Sequence, residues 1–326
     1  MGFEVATGLV VVLMLAVAGC GSSSSSPTPP GAFAEALATV GGGGANGSLG
    51  VGWADPHLVA RIGGGPELIG DALGPNARTV VAEAPRLRQR FGFDPLAGTR
   101  LISVGGSYAF GLRVDGTDGK GLARALVRAG GRARQAGQAQ LVDAGDYAVV
   151  PEPLLRSRIS GLGARDAFTP ERTVLAISET ARDALLGRGD RLIDDPTYRA
   201  AANCLGDMVA ARLVPDNLLL SVDLEVNAVA VGVSGPRREV LCVLGGTPDR
   251  AGEVASGLER SLGPGARDPL TGAPIDDSVA RAQVSRDTDD GVEVVRADLT
   301  LARGQPPGYL FGTVAGGSLV RLINGG

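Results

Sequence analysis

Histidine and lysine are almost missing from this 326-residue chain: His57 is the only histidine, and Lys120 is the only lysine among 31 basic residues. A single histidine argues against a zinc centre, which draws several His or Cys ligands together. A Ser-His-Asp triad would have to use His57, which lies in Asp55-Pro56-His57-Leu58, a turn entering a helix. No nucleophile elbow supports such a triad. Gly105-Gly106-Ser107-Tyr108-Ala109 leads into a strand, where an elbow leads into a helix. His57 is therefore expected at the surface or beside a helix cap, with no catalytic and no metal-binding residue assigned. Aromatic residues are scarce as well, with 7 Phe, 4 Tyr and the single Trp53, too few for a carbohydrate-stacking groove. The formal charge of −4 lacks the concentrated basic patch that nucleic-acid phosphates require.

Long apolar runs are missing too, with one short exception at residues 5–18, densest over 9–15. A membrane-spanning helix needs roughly 20 apolar residues, so this run is short for that task. It fits the apolar core of a secretion signal, about 7–15 residues long. The run ends in Val17-Ala18-Gly19-Cys20, which resembles the bacterial lipobox. That resemblance implies cleavage before Cys20, acyl chains on its thiol, and attachment to the extracytoplasmic face of the cell membrane. One feature departs from the pattern: Met1-Gly2-Phe3-Glu4 carries an acid and no Lys or Arg, whereas export signals start with positive charge. A secreted soluble protein, or a buried apolar helix with a chance cysteine, remains the alternative. Removing residues 1–19 deletes only Glu4 among charged residues, so −4 becomes −3.

Gly21 is followed by five serines and then Pro27-Thr28-Pro29-Pro30. Such sequence cannot bury enough apolar surface to fold and acts as a tether. The glycines at 41–44 extend it, although Phe33 to Leu37 could form a helical turn. The tether is thus expected over 20–47 and the globular region over 48–326, enough for one large domain or two halves at about 48–190 and 191–326. With Cys20 assigned to lipid, Cys204 and Cys242 remain as a pair in an oxidising compartment, where a disulfide is expected. Two separate buried thiols are the alternative.

Apolar periodicity predicts an α+β fold, with antiparallel sheets faced by helices. Residues 107–114 alternate as a strand, Asp115-Gly116 breaks it, and residues 120–129 place Leu122, Ala123, Leu126 and Val127 at helical spacing. Val240-Leu241-Cys242-Val243-Leu244 repeats the order: strand, Gly245-Gly246, then a helix opened by Thr247-Pro248. A hairpin-like stretch follows each block. The first covers 138–150 and turns near Gly145-Asp146; the second covers 279–301 and turns at Asp289-Asp290-Gly291. Two related βαββ-type halves are the expectation. Between them, residues 173–177 read as a strand, Ser178 caps a helix, and Asp195-Pro196 opens another running through Cys204. Leu220, Val222, Leu224 and Val226 alternate as a half-buried strand whose phase slips to Val229, Val231 and Val233. Gly235-Pro236-Arg237-Arg238 makes the next reversal.

The stretch Asp194-Asp195-Pro196-Thr197-Tyr198-Arg199-Ala200-Ala201-Ala202-Asn203-Cys204-Leu205-Gly206-Asp207, with Glu239-Val240-Leu241-Cys242-Val243, resembles uncharacterised actinobacterial cell-envelope lipoproteins of unassigned activity. An Ala- and Gly-rich composition that uses Arg in place of Lys fits such a high-GC source. The resemblance implies one exported family over residues 48–326 and carries no functional residue across.

Other motifs are weighed by context. Residues 42–47 match G-x-G-x-x-G formally but precede any strand. Gly116-Thr117-Asp118-Gly119-Lys120-Gly121 is too short for a phosphate loop and lacks Ser or Thr after its lysine. Acid clusters at Asp194-Asp195, Asp276-Asp277 and Asp287-Thr288-Asp289-Asp290 suit glycoside hydrolysis or calcium by residue type. Each sits at a turn or helix start, where Asp caps backbone N–H groups. The sequence therefore points to a non-catalytic binding or interaction module, without a cofactor, and otherwise to a carrier for an apolar ligand such as a lipid. The carrier requires a Val- and Leu-lined cavity between sheet and helices.

Overall fold

A computed structural model describes residues 31–42, 49–105, 110–128, 130–143, 165–219 and 224–325. Its helices are α1 (Ala32–Leu37), α2 (Pro56–Arg61), α3 (Pro66–Leu73), α4 (Pro75–Ala82), α5 (Ala84–Phe91), α6 (Lys120–Arg128), α7 (Glu179–Leu185), α8 (Pro196–Leu205), α9 (Pro248–Ser261), α10 (Tyr309–Ala315) and α11 (Leu319–Asn324). The strands of the first half are β1 (Gly50–Ala54), β2 (Arg100–Gly105), β3 (Phe110–Asp115), β4 (Arg132–Ala136), β5 (Ala139–Asp143), β6 (Arg165–Phe168) and β7 (Arg172–Ala176). Those of the second are β8 (Ala210–Pro215), β9 (Ala228–Gly235), β10 (Arg238–Leu244), β11 (Val279–Asp289) and β12 (Val292–Leu301).

All twelve strands join one sheet in the order β11-β12-β10-β9-β8-β1-β2-β3-β7-β6-β5-β4, and every pair is antiparallel. This is the α+β class expected, built as one continuous sheet. Each half runs as a three-strand meander, a helix, and strands that return from the outer edge. Helix α6 carries the chain from β3 to edge strand β4, and β7 comes back onto β3. Helix α9 likewise leads from β10 to edge strand β11, and β12 returns onto β10. The halves meet where their first strands pair, β1 on β8, with Gly52 opposite Arg212 and Trp53 opposite Ala211.

Alternation along the strands feeds two cores. On one face, Val51, Trp53, Ile102, Leu213, Val240 and Cys242 are buried with Phe33, Leu185 and Leu205 from α1, α7 and α8. On the other, Leu101, Leu112, Val231, Leu241 and Leu299 are buried with side chains of α3, α4, α6, α9, α10 and α11. Local chemistry sets the helix starts. Asp195 accepts from the N–H of Thr197 at 2.8 Å, Ser178 from Ala181 at 3.2 Å and Thr247 from Arg250 at 3.2 Å. The β11–β12 hairpin turns at Asp290 and Gly291, both at positive φ, as a two-residue connection requires. Among the described residues no helix is long and apolar enough to cross a membrane.

Two sequence expectations need correction, and one falls on residues that are not described. The tether boundary at residue 47 falls too late, because α1 buries Phe33 and Leu37 completely against the core that contains α8. Apolar residues at helical spacing outweigh the glycines that follow. A hairpin of β4 and β5 turns at Gly137, φ 61°, upstream of the expected turn near Gly145-Asp146, which lies outside the described residues. Leu224 and Val226 are buried without being in a strand: Glu225 has φ 52°, which breaks an extended run, and β9 begins only at Ala228. Residues 107–109 and 220–223 of the predicted strands, like Cys20 and the signal segment, lie outside the described residues.

Candidate functional site

The joint between the two halves leaves a cleft of about 280 Å³ on the face covered by α3, α4, α10 and α11. Gly52 makes its depth possible. A Cβ on Gly52 would lie 2.5 Å from the carbonyl oxygen of Ala72 and 2.6 Å from the Cα of Leu73, so only glycine lets the end of α3 rest on the sheet. Gly74 then turns the chain at φ 89° and Pro75 opens α4. This joint forms one wall. Val314, Ala315, Leu319 and Val320 of α10 and α11 form the opposite wall, and Val214, Leu218, Leu219 and Leu224 close the apolar floor and end.

Arg212 lines this mainly apolar space from β8, directly opposite Gly52 in register, and shares it with Asp71 and Arg78. Its guanidinium packs by Gly74, where a Cβ would stand 3.6 Å from the guanidinium carbon. Burial pushes its pKa down, and the charge of Asp71 opposes that shift. Asp71 lies in the last turn of α3 and pairs with Arg78 at 3.0 Å. Burial raises the Asp71 carboxyl above its usual range, while Arg78 and Arg212 pull it back. The cleft mouth thus holds two cations and one carboxylate. The two fully buried arginines are held by carboxylates. Arg113 donates to both Asp115 oxygens at 2.7 Å and to Thr39, and Arg182 lies beside Asp143 and Asp183. Arg212 is half-buried and makes no hydrogen bond with any described residue; the nearby charge of Asp71 is its electrostatic partner.

The residues singled out in the sequence lie elsewhere. His57 is exposed in the first turn of α2, where its backbone N–H donates to Asp55 Oδ1 at 2.9 Å. Asp118 accepts from the N–H of Lys120 at 2.9 Å and pairs with its Nζ at 3.2 Å, so residues 116–121 close as a turn into α6. Asp195 caps α8, Asp276 and Asp277 lie in a short 3-10 turn, and Asp289 and Asp290 reach Asn203 and Arg199. Among the described residues no group of three or more His, Cys, Asp or Glu side chains is placed to hold a metal ion. Residues 43–47 of the glycine-rich match lie outside the described residues. Cys204 and Cys242 form a disulfide between α8 and β10.

No family model and no curated protein matches this sequence. Among solved structures, crystal form I of TP0453 is similar, with a TM-score of 0.43 and 10% identity over 85% of this chain and 97% of that one. A likeness so distant adds nothing to the functional reading.

Sequence reasoning missed Arg212, and a signal for it existed. Ala210-Ala211-Arg212-Leu213-Val214-Pro215 is an apolar strand interrupted by one charge.

Proposed function

We propose that this chain is an exported lipoprotein, attached to the extracytoplasmic face of the cell membrane by acyl chains on Cys20. In this reading its globular region is a non-catalytic carrier that holds a small apolar ligand bearing an acidic end. The anchor rests on the apolar run before Cys20, the residues at 17–20 and the Ser/Pro-rich stretch after it. The ligand reading rests on Arg212, a half-buried cation that makes no hydrogen bond with any described residue and lines a mainly apolar cleft with Asp71 and Arg78 at its edge. A ligand carboxylate or phosphate would complete its shell with charge-assisted hydrogen bonds, while Val and Leu side chains of both walls would take the hydrocarbon. The volume of about 280 Å³ is near the lower end of small-molecule sites, which favours a short chain over a whole phospholipid. This cleft moves the preference from an interaction module toward a carrier.

Native mass spectrometry of the protein recovered from its host membrane tests both parts. The expected result is an acylated Cys20 together with a bound small acid that is lost on denaturation. An unmodified Cys20 contradicts the anchor, and a clean apo mass contradicts the carrier.

A further inference from the structure

The sheet face opposite the Arg212 cleft carries a second concave site. Beyond the end of α8, strands β9, β10, β12 and β11 floor a groove of about 470 Å³. Strand register places Arg238 opposite Thr300 and Thr300 opposite Arg281, so the three form a row across β10, β12 and β11. Neighbouring strands lie roughly 4.8 Å apart, which separates the two arginine Cα atoms by about 10 Å with the threonine between them. Side chains as long as arginine can converge over that hydroxyl from both sides.

Three observations bear on what this row can do. The ladder is irregular on both flanks at this level. Ser234 is left over between β9 and β10, and Ala280 between β11 and β12, and such bulges re-aim side chains next to sites. The groove wall is also fastened to its floor. The Cys204–Cys242 bond ties the end of α8 to β10, and Arg296 donates to the carbonyl of Cys204. Finally, the lining sets Arg238, Arg281 and Arg296 against Asp207, Asp298 and Glu239, and Glu239 is taken up by the N–H groups of Gly308, Tyr309 and Leu310 on the other face. Asp298 holds Arg296 in a bidentate pair at 2.7 and 2.6 Å. Arg238 and Arg281 make no ion pair or hydrogen bond with any described residue, as also holds for exposed Arg61 and Arg128, so what distinguishes this pair is its placement on both sides of Thr300 in one groove.

We propose that Arg238 and Arg281 clamp a single phosphate group across Thr300. Two guanidinium forks match the oxygens of a phosphate, and the threonine hydroxyl supplies a further donor between them. Asp207 on the groove rim opposes additional negative charge, so the site suits one phosphate and not a polyphosphate chain. The phosphate belongs either to a soluble phosphate ester or to the headgroup of an anionic phospholipid. This site does not depend on the Arg212 cleft.

Titration calorimetry on the full-length protein in non-ionic detergent tests the clamp with three probes: inorganic phosphate, glycerol phosphate and monomeric dihexanoyl phosphatidylglycerol. Saturable one-to-one binding is expected, weakened about tenfold by Arg238→Gln or Arg281→Gln, since each loses a charged hydrogen bond. Thr300→Val is expected to weaken it less, and Arg128→Gln on distant α6 not at all. Binding of phosphate and glycerol phosphate without the lipid identifies a soluble ester, and lipid binding lost in the arginine variants identifies a headgroup. Both outcomes support the clamp. Both arginines are exposed, so the double variant should keep the wild-type thermal transition. Failure of all three probes to bind the wild type overturns the proposal, as does unchanged binding in the double variant or in Thr300→Val together with both single variants.

Discussion

The carboxylate of Glu239 on β10 accepts the backbone N–H of Tyr309 at 3.0 Å, at the first residue of α10. The N–H groups of Gly308 and Leu310 reach the same carboxylate at 2.5 and 2.8 Å, so one side chain with 1% exposure fastens the C-terminal helices to the sheet. Burial raises the Glu239 carboxyl above its usual range, and the three N–H groups hold it down only in part. A folded-state value above the unfolded one means that this stability contribution is complete below the ordinary glutamate value of about 4.3. It is lost as pH rises through the folded value. Chemical denaturation from pH 4 to 8 should therefore show Glu239→Gln gaining stability relative to wild type as pH rises. Glu239→Ala should cost about 1–3 kcal/mol, because it leaves buried donors unsatisfied.

Loss of the Cys204–Cys242 bond should destabilise the protein by roughly 2–4 kcal/mol through the freed entropy of the unfolded chain. Cys204→Ala/Cys242→Ala compared with oxidised wild type in urea denaturation gives this difference. Addition of a reductant should lower the wild-type midpoint and leave the variant unmoved.

Phe33 tests whether the fold includes α1. Its side chain is completely buried, so Phe33→Ala should cost about 3–5 kcal/mol in equilibrium unfolding. A change within about 0.5 kcal/mol would return this segment to the tether, since surface substitutions fall in that range.

Gly257 marks a close helix crossing. A Cβ there would stand 1.9 Å from the carbonyl oxygen of Ile323, so α9 and α11 touch backbone to backbone. Gly257→Ala gains helix propensity of roughly 1 kcal/mol, but backbone displacement should outweigh it. A net loss of about 1–3 kcal/mol in thermal unfolding is expected.

The parts of the fold legible in the sequence are those decided by local chemistry. Asp195-Pro196, Ser178 and Thr247-Pro248 marked helix starts because a capping oxygen acts within three residues. Asp290-Gly291 marked its hairpin because the turn needs positive φ at both positions. The disulfide followed from cysteine arithmetic once Cys20 was set aside. Local signals failed where tertiary packing decides. The helix α1 is held by contacts to a core more than a hundred residues distant in the chain, and its glycine-rich neighbourhood argued the other way. A repeated strand and helix was visible in the sequence, but not the joining of both halves into one sheet, because β1–β8 pairing leaves no mark in either strand. The site was the least legible. Arg212 gains meaning only from Gly52 beside it and from helices contributed by both halves.

The central claim is that Arg212 receives the acidic end of an apolar ligand, and a competition between octanoate and octanol tests it most directly. The two probes share a hydrocarbon chain and differ in the charged end. Calorimetry should show the wild-type protein binding octanoate about tenfold or more tightly than octanol, with that preference erased in Arg212→Gln while octanol binding persists. Equal affinity of the wild type for both probes, or a preference unchanged in Arg212→Gln, would contradict it.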